Sequence, residues 1–364
     1  MVVTAQDLRV AGVDVPLFVG GAALTRKFTA TRIAPEHAGL TLYAKDAMDG
    51  LDLANQLFSA PTRERLIERV RAEQAALASA VAAPAAPAPA EPLPPARVYL
   101  ARVEPPRPPD LDEHVLRDVP LAHVYPYLNL QMLYGKHLGL RGLVSRLLAD
   151  GDPKARELEA VVEELKRDAA AGGWLRAHGV HRWFRARAVG DTLQVFTPDD
   201  PAPARFTFPR QPAGERLCLA DYVRDDVDDW VALFAVTCGE GVRERAEALK
   251  AGGDYLKSHA LQALAIECAE AFAEMLHARL RTLWGFPDAP DLSIGDKLKA
   301  HYRGLRVSFG YPACPDLADQ ATLWRLLRPG QIGIQLTEGH MMDPEASVSA
   351  LVFHHPSAKY FNAT

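Results

Sequence analysis

The sequence predicts an α+β protein preceded by a short α/β piece, and three observations carry that prediction. Apolar strands alternate with helices over residues 1–58, a proline-rich stretch occupies residues 81–96, and helices and strands mix irregularly beyond it. Strands that alternate with helices imply parallel pairing in a doubly wound sheet. An irregular mixture implies α+β in place of a second doubly wound unit.

The elements follow in order. Val13 to Val19 is a compact apolar strand, broken by Gly20-Gly21. Ala22 to Glu36 can be helical despite its threonines. Leu40 to Ala44 reads as a second short strand and Ala47 to Phe58 as a second helix. Two such strands cannot bury both faces of a sheet alone, and Val2 to Leu8 reads as the middle of something. Residues 61–79 look helical, with Pro61 suited to a first helical position and Leu66, Ile67, Val70 and Leu77 on one face. Residues 81–96, VAAPAAPAPAEPLPPA, favour extended polyproline-like structure and act as a semi-rigid spacer. A strand-like run, Val98 to Val103, precedes Pro105, Pro106, Pro108 and Pro109. Helices are expected at 138–149, 154–171 and 256–282. Strands are expected at 183–187, 192–196, 230–237, 304–308 and 348–354. The domain boundaries predicted are 1–58, a helix and Pro/Ala-rich linker at 59–96, and 97–364.

Composition excludes several classes. Of 364 residues, 48% are hydrophobic and 24% charged, an ordinary globular balance. A net charge of −5 leaves no basic surplus for nucleic acid. No run approaches a membrane span, and the N-terminus lacks the pattern of a secretory signal. Cys218, Cys238, Cys268 and Cys314 form no CxxC pair, which argues against a zinc ribbon or redox motif. They read as reduced, mostly buried thiols of a cytoplasmic protein.

Chemistry-bearing positions are few. The Gly20-Gly21 pair lets a ligand approach the backbone at a strand's carboxyl end, although a tight turn without a ligand explains it as well. In GLRVSFGYPACPD, residues 304–316, Arg306 offers a planar fork for a carboxylate. Gly310 permits unusual backbone angles, and Pro312 and Pro315 stiffen the segment. Glu267, Glu270 and Glu274 share one helical face, which by itself reads as solvated. His178, His181, His354 and His355 read as surface or hydrogen-bonded residues and not as metal ligands.

Several phrases in order resemble the C-terminal region of cobalamin-dependent methionine synthase. LCLADYV, FAVTCGEG, AEAFAEMLH, GYPACPD, LTEGHMMDPEASVSA and HHPSAKYF resemble its S-adenosylmethionine-binding activation domain over nearly all of 97–364. VPLFVGGAALTRKFTATRIAPEH resembles the last third of its cobalamin-binding domain. The resemblance implies a C-shaped domain around a bent antiparallel sheet with helices, preceded by a partial flavodoxin-like (Rossmann-type) remnant. It implies S-adenosylmethionine contacts at Arg306, Val307, Ser308, Gly310, Tyr360, Phe361, Asn129 and Glu270, and cobalamin contacts at Gly20, Gly21 and Ala47. This chain has VSF where many relatives have PAP, Phe361 where they have tyrosine, and Asn129 where they have aspartate. The family's cobalt-ligating Asp-x-His-x-x-Gly loop is absent. The nearest string, Asp112 to Arg117, lacks the glycine and follows the linker, so the chain is expected to begin inside the cobalamin domain.

The resemblance implies reductive remethylation of cob(II)alamin, within a methyltransferase whose homocysteine and folate modules lie outside this chain. The implied partners are those modules, the cobalamin domain, and a flavodoxin-like or other reductase. Two further readings remain open from the residues: a non-catalytic docking module, and an activation protein for another corrinoid methyltransferase.

Overall fold

The computed structural model describes residues 1–20, 25–44, 47–82, 100, 102–198 and 200–363. The chain divides into two compact units, residues 1–93 and 94–364.

In the first unit, helix α1 (Val2–Val10) leads to strand β1 (Leu17–Gly20). The expected strand starts at Val13. Instead the Val13 amide donates to Leu8 O at 2.9 Å and closes the helix, and Pro16 has no amide to give a ladder. A short α2 (Arg26–Phe28), capped by Thr25, runs into a π-helical turn at Thr29–Ile33 and a 3-10 turn at Ala34–Glu36. Helical character thus holds for the described part of 22–36, but the β-branched residues distort it. Strand β2 (Thr41–Ala44) pairs with β1 in parallel, Leu17 against Thr41 through Gly20 against Ala44. Helices α3 (Ala47–Phe58) and α4 (Ala60–Ala82) follow. Leu42, Leu53, Leu57 and Leu66 bury together with Phe18 and Val70 against them, while Val19 packs with Ala5 and Ile33. Alternate strand residues therefore meet different apolar clusters, as pleating requires.

The second unit is built on a seven-stranded antiparallel sheet. Its strands are β3 (His114–Val119), β4 (Ala177–Val189), β5 (Thr192–Thr197), β6 (Asp200–Thr207), β7 (Asp229–Thr237), β8 (Leu305–Val307) and β11 (Ser347–Phe353). The order is β6-β5-β4-β7-β11-β8, with β3 also on β4. Strand β4 is the pivot. His178 to Ala186 pair with β7, while on its other side Gly179–His181 pair with β3 and Arg185–Val189 with β5. Two short strands, β9 (Gln335–Leu336) and β10 (Met342–Asp343), form a separate ribbon.

Helices α5 (Leu121–Val124), α6 (Val144–Ala149), α7 (Pro153–Gly172), α8 (Val242–Ala251) and α9 (Tyr255–Leu283) contribute to one core, and α11 (Asp319–Leu327) to the core on the other side of the sheet. Helix α10 is the turn Ile294–Lys297. The expected helix at 138–149 is realised only from Val144; residues 131–137 form a π-helical turn before it. Buried on both faces, β7 reads as an uninterrupted apolar run. Gly179 lets α9 lie close: a Cβ there would stand 3.1 Å from Phe272 Cζ and 3.2 Å from Val236 Cγ1.

All four cysteines are free and buried. Half of the expected strand over 98–103 lies outside the described residues, and residues 100, 102 and 103 are not in a strand. The string 112–117 lies in and beside β3, where His114 Nε2 meets Asp110 Oδ1 at 2.8 Å. Among the described residues no helix is long and apolar enough to cross a membrane.

His178, His181, His354 and His355 are buried, which corrects the surface option. His178 Nε2 meets Glu240 Oε2 at 3.2 Å, and His354 Nε2 meets Asp229 Oδ1 at 2.7 Å. His181 stacks on His114 opposite it, centroids 4.8 Å apart, with Trp183 edge-on. Burial, then the facing His114 and Arg279, bring its pKa down to about 4 against the pull of Asp110. An unfolded histidine titrates near 6.5, so between pH 6.5 and 4 the unfolded chain binds a proton the folded chain refuses. Stability rises with pH across that window and is lost on acidification. Urea unfolding at pH 7 and pH 4.5 is expected to show a loss that shrinks by about 2–3 kcal/mol in His181→Phe.

Candidate functional site

The strand β8 is short because Gly304 and the Ser308–Gly310 turn bracket it. Gly304 has φ +88°, and a Cβ there would come within 2.6 Å of Phe353 O. Among the described residues β8 pairs only with β11, Arg306 opposite Val352. Leu305 and Val307 enter the core, and Arg306 meets carboxylates of α9. Beyond β8 the chain turns sharply. The Gly310 amide donates to Cys314 O and the Cys314 amide to Tyr311 O, each at 2.8 Å, with Gly310 at φ +90°. The C-terminal segment crosses β8, its Tyr360 hydroxyl donating to Arg306 O at 2.7 Å.

These pieces enclose a cleft of about 470 Å³ lined by Glu270, Arg306, Val307, Ser308, residues 311–314 and residues 360–362. The volume suits a small molecule. Arg306 Nη2 donates to Glu270 Oε2 at 3.4 Å, and Arg306 Nε lies 3.5 Å from Glu274 Oε2. Neither is a tight bidentate pair. The Nε finds no hydrogen-bond partner among the described residues. Burial works against the Arg306 charge, but Glu270 and Glu274 more than offset it, so its pKa stands above the ordinary guanidinium value. The result is a permanently charged, loosely held fork beside a half-exposed carboxylate, between aromatic and small apolar walls. Such a site can take a ligand carrying a carboxylate, a cationic group and an apolar body.

Of the residues expected to bind, Arg306, Val307, Ser308, Tyr360, Phe361 and Glu270 are brought together at this cleft, and Gly310 forms the turn beside it. Asn129 does not line it; its Oδ1 accepts from the Met132 amide at 3.2 Å. Sequence reasoning did not single out Tyr311, Ala313, Cys314 or Asn362, although the GYPACP string marked their turn. The solvated-face reading of Glu267, Glu270 and Glu274 is corrected. Glu267 and Glu274 are each 4% exposed, and only Glu270 reaches solvent. Glu267 meets His137 Nε2 at 3.0 Å.

In the first unit, Gly20 has a structural cause: a Cβ there would collide with the Ala44 carbonyl oxygen across the paired strands. Gly21 lies outside the described residues, and Ala47 is the first residue of α3. The single histidine of residues 1–93, His37, is buried and meets Val15 O at 2.9 Å. Among the described residues no three His, Cys, Asp or Glu side chains gather as a metal site.

A family model described as vitamin B12 dependent methionine synthase, activation domain, matches residues 120–364. The chain belongs to this family. The activation-domain match accounts for the C-terminal two thirds of the chain. Methionine synthase of Mycobacterium tuberculosis (strain ATCC 25618 / H37Rv) is 32% identical over 392 residues, covering 95% of this chain and 32% of that protein. Methionine synthase of Mycobacterium leprae (strain TN) is 30% identical over 388 residues, with the same coverages. The chain thus spans about a third of the length of these curated relatives. Among solved structures, the MetH reactivation domain bound to AdoHcy superposes with a TM-score of 0.68 at 30% identity, covering 74% of this chain and 88% of that one. The antiparallel α+β architecture expected for the activation domain is the one observed.

The Gly310 turn shapes one wall of the cleft, and its positive φ excludes a Cβ without strain. A methyl there would also stand 3.1 Å from Leu317 Cδ2. Gly310→Ala is expected to cost about 1–2 kcal/mol in denaturant unfolding, from backbone strain.

Proposed function

We propose that this chain is the C-terminal module of a cobalamin-dependent methionine synthase, the 5-methyltetrahydrofolate–homocysteine methyltransferase, and that its cleft binds S-adenosylmethionine for reductive remethylation of cob(II)alamin. The observation that carries the reading is the permanently charged Arg306 fork, paired only at 3.4 and 3.5 Å, at a cleft that also holds Glu270 and the Tyr360-Phe361 pair. The similar MetH reactivation domain, solved bound to AdoHcy, the demethylated form of that ligand, supports it.

The residues divide the ligand between them. Arg306 takes the amino acid carboxylate through charge-assisted bonds. Glu270 supplies negative charge for the ammonium or sulfonium. The backbone of Val307 and Ser308 and the Gly310 turn hold the amino acid portion, and Tyr360 and Phe361 pack on the apolar body. S-adenosylmethionine supplies an activated methyl group, and the work of this chain is placement of that group, which effective molarity rewards. The electron required comes from a flavodoxin-like or other reductase, and the cobalamin is presented by a cobalamin domain. Residues 1–58 are the tail of that domain and 59–96 the linker to residues 97–364. Contacts of Gly20, Gly21 and Ala47 with the cobalamin nucleotide rest on the sequence resemblance alone. Asn129, turned to its own backbone, is the weakest member of the ligand set. The buried free thiols support a reducing, cytoplasmic setting.

Titration calorimetry is the direct test. The full chain is expected to bind S-adenosylmethionine, and Arg306→Ala to weaken binding by about 30-fold or more, the scale of a lost charge-assisted pair. Equal, negligible binding by both proteins sinks the reading and favours a docking module.

A further inference from the structure

Behind Arg306 lies a second group of charges that faces the interior. Glu274 sits one helical turn after Glu270 on α9, so both carboxylates address Arg306 from the same side. Glu274 Oε2 is 3.5 Å from Arg306 Nε and accepts from the Tyr302 hydroxyl at 3.4 Å. Its other oxygen is 3.9 Å from Arg281 Nη2. Arg281 is itself held in a fork by Asp288, at 2.6 and 2.8 Å, and Lys297 stands 3.3 Å from the same carboxylate. The Tyr302 ring lies under the Arg281 guanidinium at 3.8 Å, with His277 edge-on at 5.0 Å.

The charges in this cluster are not equally committed. Asp288 engages Arg281 at hydrogen-bond distance, so Arg281 reaches Glu274 only at the limit of an ion pair. Arg306 is the nearer cation to Glu274. Glu274 is 4% exposed, and burial raises its pKa while Arg306 and then Arg281 oppose the rise. Glu270 differs: its side chain is 46% exposed, free to change rotamer and screened by water. A charge held in the interior acts on its partner with far less screening. The two glutamates therefore have different capacities. Glu270 can turn to a ligand, whereas Glu274 is buried at the back of the guanidinium, 3.5 Å from its Nε edge.

We propose that Glu274 is the positioning residue of the cleft: from the interior it fixes the Arg306 guanidinium so that the terminal nitrogens face the ligand, and the Tyr302 hydroxyl holds the Glu274 oxygen nearest Arg306. The inference concerns the orientation of Arg306, and its effect on binding rests on the reading of the cleft as an S-adenosylmethionine site.

The test uses the full chain and two readouts. Nitrogen-15 NMR follows hydrogen exchange of the Arg306 Nε–H, assigned by its loss in Arg306→Lys, in the absence of ligand. Calorimetry follows S-adenosylmethionine. Glu274→Gln is expected to raise the exchange rate and weaken binding, each by about tenfold, the scale of one lost contact to a charged group. Glu270→Gln leaves the Nε–H protected. Should Glu274→Gln fail to fold, Tyr302→Phe decides, with both effects in the same direction and smaller. Unchanged exchange in the folded variant overturns the proposal. So does faster exchange with unchanged affinity, since the orientation of Arg306 then has no bearing on the cleft. Faster exchange in a protein whose wild type binds no S-adenosylmethionine upholds the positioning of Arg306 and removes the proposed ligand instead.

Discussion

The packing of α9 along the antiparallel sheet is the constraint on which the second unit depends. Its 29 residues supply much of one core, and Gly179 permits the approach by leaving room for Phe272. The same helix carries Glu267, Glu274, His277 and Arg281 into the interior. A charged group taken out of water must find a partner, and most of these do: Glu267 with His137, Arg281 with Asp288, Glu274 with Arg306 and Tyr302. One rigid element thus both closes the core and sets charge at a defined depth behind β8. The site inherits its precision from that packing and not from the loops that line it.

How much of this was legible in the sequence depended on how local each cause was. Helix α9 was expected at 256–282 and occupies Tyr255–Leu283, because a long apolar pattern has few competing readings. Strands β7 and β11 were legible within a residue or two: β7 is an apolar run from Trp230 to Val236, and β11 ends in the apolar run Ala350–Phe353. Strand β4 starts well before the expected 183–187 and ends at Val189, since its histidines and arginines dilute the apolar pattern. Strand β6 went unread because Pro201 and Pro203 argue against a strand. Its place at the end of the sheet order tolerates prolines that a central strand would reject. Strand β3, HVLRDV, is likewise polar and, among the described residues, pairs with β4 alone.

The candidate site divides in a similar way. Arg306 and the GYPACP turn were legible because backbone-restricting residues cluster beside one fixed cation. Glu274 was hidden, since three glutamates at helical spacing describe a wet face just as well. What distinguishes it is the approach of Arg306, Tyr302 and Arg281, two of which are distant in sequence, and no local pattern encodes that. In the first unit the Gly20-Gly21 pair was ambiguous between turn and ligand approach. For Gly20 the close passage of Ala44 supplies a sufficient cause.

The brevity of β8 has one more consequence. With three residues it alternates once: Leu305 inward, Arg306 toward α9, Val307 inward. Removing a single residue between Gly304 and Arg306 would rotate that alternation by one place. The guanidinium would be driven against the apolar core, and an aliphatic side chain would face the carboxylates, with the amino-acid content of the segment scarcely altered. The spacing between Gly304 and the Gly310 turn is therefore as much a part of the site as the arginine itself. An insertion or deletion there would be more damaging than most single substitutions, even if every residue named for the cleft were retained.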